Sequence, residues 1–190
     1  MTIYKILNDS ESFLEFNTDL EEMLDHIGPH TGELEFIHFS RHNLRLKSYW
    51  KTFTGNFKKV RTGATLTPDI SCWRGATIVL SQQAYEALAE PLTAYGEFLP
   101  ITCNKLPYYI FNCLQLAEID TLKSKQEVFE GGATEIASLA FDSDSIQGKL
   151  VFKSQYEGCT AIFCSENFKN MINKLGFKGI TFQQNLTSIF

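Results

Sequence analysis

No stretch of the 190-residue sequence approaches the roughly 20 apolar residues that a membrane-spanning helix requires. The N-terminal segment MTIYKILNDSESF has no long apolar core before charged residues follow, so we predict no secretory signal peptide. The five cysteines form no C-x-x-C pair, and several lie inside apolar runs, which is typical of reduced, buried thiols. These absences predict a cytoplasmic protein with neither a disulfide framework nor a cysteine-based zinc site.

The sequence also lacks the short motifs that accompany common catalytic and phosphate-binding sites. G-x-x-x-x-G-K-[ST], G-x-G-x-x-G and H-E-x-x-H do not occur, and the glycine pair at 130–132 lies in a polar segment that does not open a helix. Ser81 and Ser165 each follow an apolar run, but neither has the neighbouring glycines that a nucleophile elbow needs. Because each precedes an amphipathic pattern, we predict that both serines are helix N-caps. We therefore predict no catalytic residue, no cofactor and no metal ion.

The residues that are present can build a substantial core. Hydrophobic residues make up 44% of the chain, and 16 of its residues are phenylalanines, whose flat rings pack well on sheet surfaces. Alternating or short apolar runs predict strands in these segments: 2–7, 33–39, 76–80, 97–103, 107–119, 135–141 and 149–153. The chain closes with a strand, a helix and a second strand over 159–182.

Three segments carry the pattern of amphipathic helices. The first begins at Thr18, which has capping-box spacing to Glu21, and is expected to end at Gly28-Pro29. The second follows Ser81 and is expected to end at Pro91. The third follows Ser165, with an apolar stripe and Gly176 at the position of a left-handed C-terminal cap. The stripe comprises Phe168, Met171, Ile172 and Leu175.

These elements predict an α+β fold, with a mostly antiparallel sheet and a few short amphipathic helices. Residues 54–72 are rich in Gly, Thr and Pro, so we predict a loop there and place the main boundary of the chain in it. On this prediction residues 1–65 form an N-terminal portion, as a small lobe packed on the rest, and residues 66–190 form an α+β domain.

Charge is unevenly distributed along the N-terminal portion. Residues 1–35 contain nine acids and a single lysine, whereas residues 36–63 contain seven bases and no acid. The two segments are expected to pair with each other in the fold, as such runs commonly do. The alternative is that acids on the first helix form a docking surface for a basic partner. The candidate partner-binding residues are Asp19, Glu21, Glu22 and Asp25.

Two further interpretations of the sequence remain open. A small hydrolase or transferase would use Cys72, which lies beside Trp73 and Arg74, or one of the four histidines clustered between His26 and His42, namely His26, His30, His38 and His42. A nucleic-acid-binding module would use the segment 45–61, where Tyr49, Trp50, Phe53 and Phe57 alternate with lysines and arginines. The net charge of −5 argues against it, because phosphate binding draws most of its affinity from positive charge, so we predict no nucleic-acid binding.

The order of the segments from Pro68 to Phe182 resembles a family of bacterial immunity proteins. Its most specific parts are GEFLPI followed closely by YYIFNCLQ, and the terminal SENFKNMINKLGFKGITF. The family is the eleventh numbered immunity family of polymorphic toxin systems, earlier a domain of unknown function. The resemblance implies a cytosolic antidote that binds a cognate toxin domain and has no chemistry of its own. Many toxins of such systems are nucleases with basic grooves, which an acidic antidote would suit; neither the toxin nor an oligomeric state is indicated.

Overall fold

The computed structural model describes residues 2–128 and 134–188, except for the side chains of Val128 and Thr134. The predicted α+β class is confirmed, with 24% helix, 34% strand and mostly antiparallel pairing. The helices are α1 (Leu20–Thr31), α2 (Glu33–Ile37), α3 (Gln82–Leu92) and α4 (Glu166–Leu175), with short 3₁₀ turns at Lys47–Tyr49 and Thr93–Tyr95. The strands are β1 (Ile3–Asn8), β2 (Glu15–Thr18), β3 (Phe53–Lys58), β4 (Ile70–Cys72), β5 (Thr77–Ser81), β6 (Gly96–Cys103), β7 (Leu106–Cys113), β8 (Lys125–Val128), β9 (Thr134–Ser138), β10 (Val151–Phe152), β11 (Phe163–Ser165) and β12 (Ile180–Gln183).

The larger sheet has six strands in the order β2-β3-β6-β7-β5-β4. All of its pairs are antiparallel except β3 with β6, in which Phe53 lies opposite Ile101. A two-residue turn joins β6 to β7, and both of its residues, Asn104 and Lys105, have positive φ angles of 51° and 68°. Such a turn matches the twist of a tight hairpin, which explains the close pairing of these two central strands.

The smaller sheet has four strands in the order β10-β11-β1-β12, so the first strand of the chain lies between two of the last. Ile3 lies opposite Ser165 on one side, and Lys5 lies opposite Gln183 on the other. A separate hairpin is formed by β8 and β9. Strands from both sides of residue 65 therefore share both sheets, and the division into 1–65 and 66–190 stays a prediction.

The six-stranded sheet is covered on both faces, and this accounts for the unbroken apolar run of β5. Ile78 and Leu80 face a core cluster built with α3, α4 and β1, whereas Val79 faces a second cluster built with α1 and α2. The neighbouring strand β7 repeats the pattern, with Phe111 in the first cluster and Ile110 in the second. A strand buried on both faces reads as a continuous hydrophobic run rather than an alternating one.

A small set of buried polar side chains ties the segment after α2 to the rest of the fold. We call Ser40, Glu97, Asn112 and Lys153 the buried polar layer. Lys153 is fully buried, and its Nζ donates to the carbonyl of Ser40 at 2.7 Å. Asn112 donates to the carbonyl of Leu44 and to Oε1 of Glu97, both at 2.9 Å. The layer thus fixes the path of residues 40–47 across the end of the large sheet.

Several sequence predictions were wrong about the N-terminal portion. Residues 33–39, predicted as a strand, form α2 and the start of the turn after it, and the helix buries Phe36 against the second core cluster. Helix α1 is capped by Asp19 rather than Thr18: the Asp19 side chain accepts from the backbone N–H of Glu22 at 3.1 Å. Pro29 lies within α1 and does not end it, since a proline near the last turn removes only one hydrogen bond. Pro91 is accommodated in the same way within α3.

The segment 54–72 is not the loop that its composition predicts. It contains most of β3 and all of β4, and Gly55 within β3 has a packing role. A Cβ atom at Gly55 would lie 2.3 Å from a ring carbon of Phe16, so glycine is needed there for the aromatic ring to lie over the strand. Glycine content alone does not distinguish a strand glycine that lies under an aromatic ring from a glycine in a turn, so the composition of this segment predicted a loop.

Most of the remaining element predictions are confirmed, with adjusted bounds. Strands occur in six of the seven segments predicted as strands, although 107–119 is a strand only as far as Cys113. Ser81 is confirmed as an N-cap, with its hydroxyl accepting from the backbone of Ala84 at 3.2 Å. Ser165 occupies the N-cap position of α4, but its hydroxyl donates to the carbonyl of Leu150 at 3.4 Å and makes no cap bond. Gly176 ends α4 in the predicted left-handed conformation, with φ 77°.

Candidate partner-binding surface

Of the four acidic residues predicted to bind a partner, three lie in the first half of α1 and Asp19 is its N-cap. The apolar residues Met23 and Ile27 face the core, so the helical repeat turns Glu21, Glu22 and Asp25 toward solvent. Asp19 is also exposed, and it caps the helix. Acids in a first helical turn stabilise the positive end of the helix dipole, so this placement satisfies the fold whether or not a partner exists.

Helix α2 adds to this surface in a way that the sequence pattern did not indicate. It follows α1 directly after Gly32 and exposes Glu33 and Glu35. Leu34, between them, is 70% exposed, although a leucine in the predicted strand would have been counted as core. We call the exposed residues of α1 and α2 the acidic helical surface: Asp19, Glu21, Glu22, Asp25, Glu33, Leu34 and Glu35.

The predicted pairing of the acidic and basic segments is confirmed for two ion pairs. Lys51 lies 3.1 Å from Glu22, and Arg61 lies 3.8 Å from Glu11. The side chains of the first pair are 44% and 46% exposed, so the pair contributes little to stability. Within the residues that the structure describes, no ion pair involves Glu21, Asp25, Glu33 or Glu35. Most of the acidic helical surface therefore keeps its charge available to solvent.

The clustered histidines pack against aromatic rings or point to solvent. His30 stacks on Tyr49 with ring centroids 5.2 Å apart, and His26 lies edge-on to Phe53 at 5.8 Å. His38 and His42 are exposed in and after the turn that follows α2. In the described ranges, no three His, Cys, Asp or Glu residues are grouped so that they could hold a metal ion.

Cys72, the other residue of the enzymatic alternative, lies in a cleft of about 520 Å³ between the two sheets. Burial, with a smaller contribution from Glu15, raises the pKa of the Cys72 thiol to about 12, and the thiol faces the carbonyl of Ile6 at 3.7 Å. None of the residues that line this cleft is a histidine. A cysteine nucleophile requires a thiolate, and the raised pKa of Cys72 keeps its thiol protonated, with no histidine among the residues that line the cleft.

The aromatic residues of the basic segment 45–61 serve the fold. Phe53 is buried, and Trp50 donates its indole N–H to the carbonyl of Pro100 at 2.8 Å. Phe57 packs edge-on against Phe16 and Tyr108. Rings engaged in this way do not form the open platform on which nucleic-acid bases stack. The glycine pair at 130–132 lies outside the described residues.

Comparison with known families bears out the resemblance drawn from the sequence. Residues 107–187 match the immunity protein family Imm11. The match runs from β7 through β12, so it includes the strand that carries Asn112 and the buried residue Lys153, and it leaves out α1 and α2. No curated protein matches the chain.

The matched residues make up 81 of the 190 residues of the chain, and they are similar to an immunity protein family. None of the described helices is both long enough and apolar enough to cross a membrane. The match does not identify the toxin, and it lies outside the acidic helical surface. The position of the docking surface therefore has to be argued from the geometry and charge of the chain itself.

Proposed function

We propose that this protein is a cytoplasmic immunity protein, which binds a cognate toxin domain of a polymorphic toxin system and blocks the toxin's active site. The observation that carries the proposal is the Imm11 match over residues 107–187. In this role the protein protects the producing cell in interbacterial competition by covering a surface, and it converts no substrate. The protonated thiol of Cys72 and the packing of His26 and His30 against aromatic rings agree with a role that needs no nucleophile.

We place the docking surface on α1, at Asp19, Glu21, Glu22 and Asp25. Exposed charges of one sign steer an oppositely charged partner and raise its association rate, while they contribute little to folding. The proposed partner is a basic toxin domain, such as a nuclease whose substrate groove is lined with Lys and Arg. An acidic helix laid across that groove would occupy it and repel the nucleic acid. Leu34 is exposed on α2 and adds an apolar contact to these charges. Interfaces commonly combine an apolar centre with a polar rim.

The test neutralises the charges without changing the shape of the helix. The variant Asp19→Asn, Glu21→Gln, Glu22→Gln, Asp25→Asn keeps an N-cap, because asparagine caps a helix as well as aspartate does. The partner in this assay is the proposed toxin domain, which is sought at the end of the protein that the neighbouring reading frame encodes. We expect the association rate constant at low salt to fall by about tenfold, with a flatter dependence on ionic strength, as measured by stopped flow.

A matched control removes the same number of charges from other exposed positions: Glu86→Gln, Glu90→Gln, Glu127→Gln and Asp144→Asn. The control should bind at nearly the wild-type rate. Equal losses in the two variants would assign the effect to net charge and remove α1 from the interface. An unchanged rate in the α1 variant, with the complex still forming, would also remove α1 and leave the immunity role in place.

A further inference from the structure

A second surface feature, a groove, carries positive charge, whereas the exposed surface of α1 is acidic. A groove of about 800 Å³ is bounded by α3, by the strands β6 and β7, and by the turn that precedes β3. We call it the tyrosine groove, after Tyr85 and Tyr109, which line it. Its volume falls in the range of sites that hold small organic ligands. It plays no part in the proposed docking surface on α1.

Aromatic rings form one wall of the tyrosine groove. The rings of Tyr85 and Tyr109 are stacked, with centroids 3.6 Å apart and planes inclined by 12°, and Phe98 lies edge-on to Tyr85 at 5.2 Å. All three side chains are half-buried, so they are held in place and still present ring surface to solvent. In the described part of the chain, neither tyrosine hydroxyl makes a side-chain hydrogen bond with protein. Rigid rings with free hydroxyls are suited to stacking on a flat ligand and to hydrogen bonding at its edge.

Two cations stand at the rim of the groove. Arg45 and Lys47 are exposed, and neither takes part in an ion pair among residues 2–128 and 134–188. Glu97 also lines the groove, but it is buried and its oxygens are already engaged. The side chains at the groove therefore leave an excess of positive charge.

The backbone that carries these cations is held in place from below. Glu97 accepts hydrogen bonds from the backbone N–H groups of Leu46 at 2.6 Å and Lys47 at 3.3 Å, and from Asn112 at 2.9 Å. The side chain of Leu46 is buried in the second core cluster. Because the turn is fixed by a buried carboxylate and a buried leucine, binding an anion there requires little ordering of the backbone.

We propose that the tyrosine groove binds a small ligand that joins a flat ring to a phosphate, of which a mononucleotide is the simplest example. Because Tyr85 and Tyr109 stack on each other, the ring of the ligand stacks on the outer face of this pair. The phosphate accepts charge-assisted hydrogen bonds from Arg45 and Lys47. The stacking of a base on an aromatic side chain contributes about 1–3 kcal/mol. Neither half alone supplies enough contacts for firm binding, so the site selects compounds that contain both.

The test is titration of the full-length protein with three probes, AMP, adenosine and inorganic phosphate, followed by NMR shifts and calorimetry. AMP should bind with a Kd at or below about 1 mM, and each of the other two should bind at least about tenfold more weakly. The double variant Arg45→Gln, Lys47→Gln should weaken AMP about tenfold while it leaves adenosine unchanged. A matched control, Lys174→Gln with Lys178→Gln, removes two exposed lysines elsewhere and should bind AMP like the wild type.

The aromatic half of the site has its own variant, Tyr109→Leu, which should weaken AMP and adenosine together. If that variant unfolds, the double variant at the rim still decides the question, because its side chains are exposed. Failure of AMP to bind at about 10 mM would overturn the proposal. So would AMP binding that the rim variant does not weaken, or tighter binding of a single-stranded oligonucleotide than of AMP. None of these results bears on toxin binding, which does not involve the groove in our account.

Discussion

Charged side chains occupy two contrasting places in this protein. On the acidic helical surface they stand in solvent, and the one ion pair among them, Glu22 with Lys51, is itself largely exposed. In the buried polar layer, Lys153 and Glu97 are enclosed and are held by backbone groups of the segment 40–47. A solvent-exposed charge can change with little cost to folding, whereas a buried one cannot lose its partner without a large cost.

The two places also differ in their relation to the family match. Lys153 and Asn112 lie inside the matched residues 107–187, and through Ser40 and Leu44 they hold a segment that lies outside the match. The acidic helical surface lies wholly outside it. This contrast agrees with our proposal that α1 supplies contacts to a particular toxin.

The contrast between buried and exposed charges predicts the largest loss of stability for a substitution at Lys153. Lys153→Ala should lower the free energy of unfolding by about 3 kcal/mol, because it opens a cavity and leaves the Ser40 carbonyl without its buried donor. Urea unfolding followed by circular dichroism measures the change. Lys59→Ala, at an exposed lysine, is the control and should stay within about 0.5 kcal/mol of the wild type. Similar losses of unfolding free energy in Lys153→Ala and Lys59→Ala would contradict the distinction between buried and exposed charges.

A pH series separates the electrostatic part of that cost from the packing part. Burial lowers the pKa of Lys153, while the thiols of Cys113 and Cys159 oppose the shift. Below the folded-state pKa both states carry the proton, and the native protein bears the full cost of a buried charge. As the pH rises from there toward the unfolded-state pKa of about 10.4, the folded lysine is already neutral, so the wild type should gain stability relative to Lys153→Met. A difference that stays constant over this window would mean that burial does not perturb the lysine.

Glu97 is expected to give a smaller loss. Glu97→Gln keeps the size of the side chain but replaces one carboxylate oxygen with an N–H₂ group. That group then faces N–H donors from which the carboxylate accepts hydrogen bonds, namely the backbone of Leu46 or Lys47, or the amide of Asn112. The expected destabilisation is about 2 kcal/mol. Hydrogen exchange should show faster exchange of the Leu46 and Lys47 amides in the variant. Retention of their protection would show that other contacts hold this segment.

The smallest effect concerns Asp19, which caps α1. Asp19→Ala should cost about 1 kcal/mol, because the N–H of Glu22 loses its acceptor, whereas Asp19→Asn should cost only a few tenths. Thermal unfolding of the two variants measures the difference. Equal losses would mean that the charge of Asp19, and not its cap bond, stabilises α1.

The sequence predicted the fold class and the exposure of the α1 acids, because both follow from local periodicity. It did not predict α2: Leu34 and Phe36 alternate as in a strand, and only packing against α1 decides that Phe36 turns inward and Leu34 outward. Ser165 shows the same limit, since its hydroxyl is taken by Leu150 from a neighbouring strand end.

The sequence pattern also failed to predict Lys153 and the tyrosine groove. Lys153 ends an apolar run and resembles an ordinary strand-end lysine, because its partner Ser40 is distant in the chain. The tyrosine groove was missed because Tyr85 fits the apolar stripe of α3, while Arg45 and Tyr109 lie in other elements. Contacts between distant segments carry no signal in a local pattern.

We propose above all that the protein acts by covering a toxin and not by catalysis. The most direct measurement is the residual activity of the proposed cognate toxin domain, titrated with increasing amounts of this protein. Our account predicts that inhibition is immediate, that it is complete at an equimolar amount, and that it accompanies a stable complex in size-exclusion chromatography. Progressive inactivation of the toxin by a small fraction of an equivalent, without a complex, would contradict it.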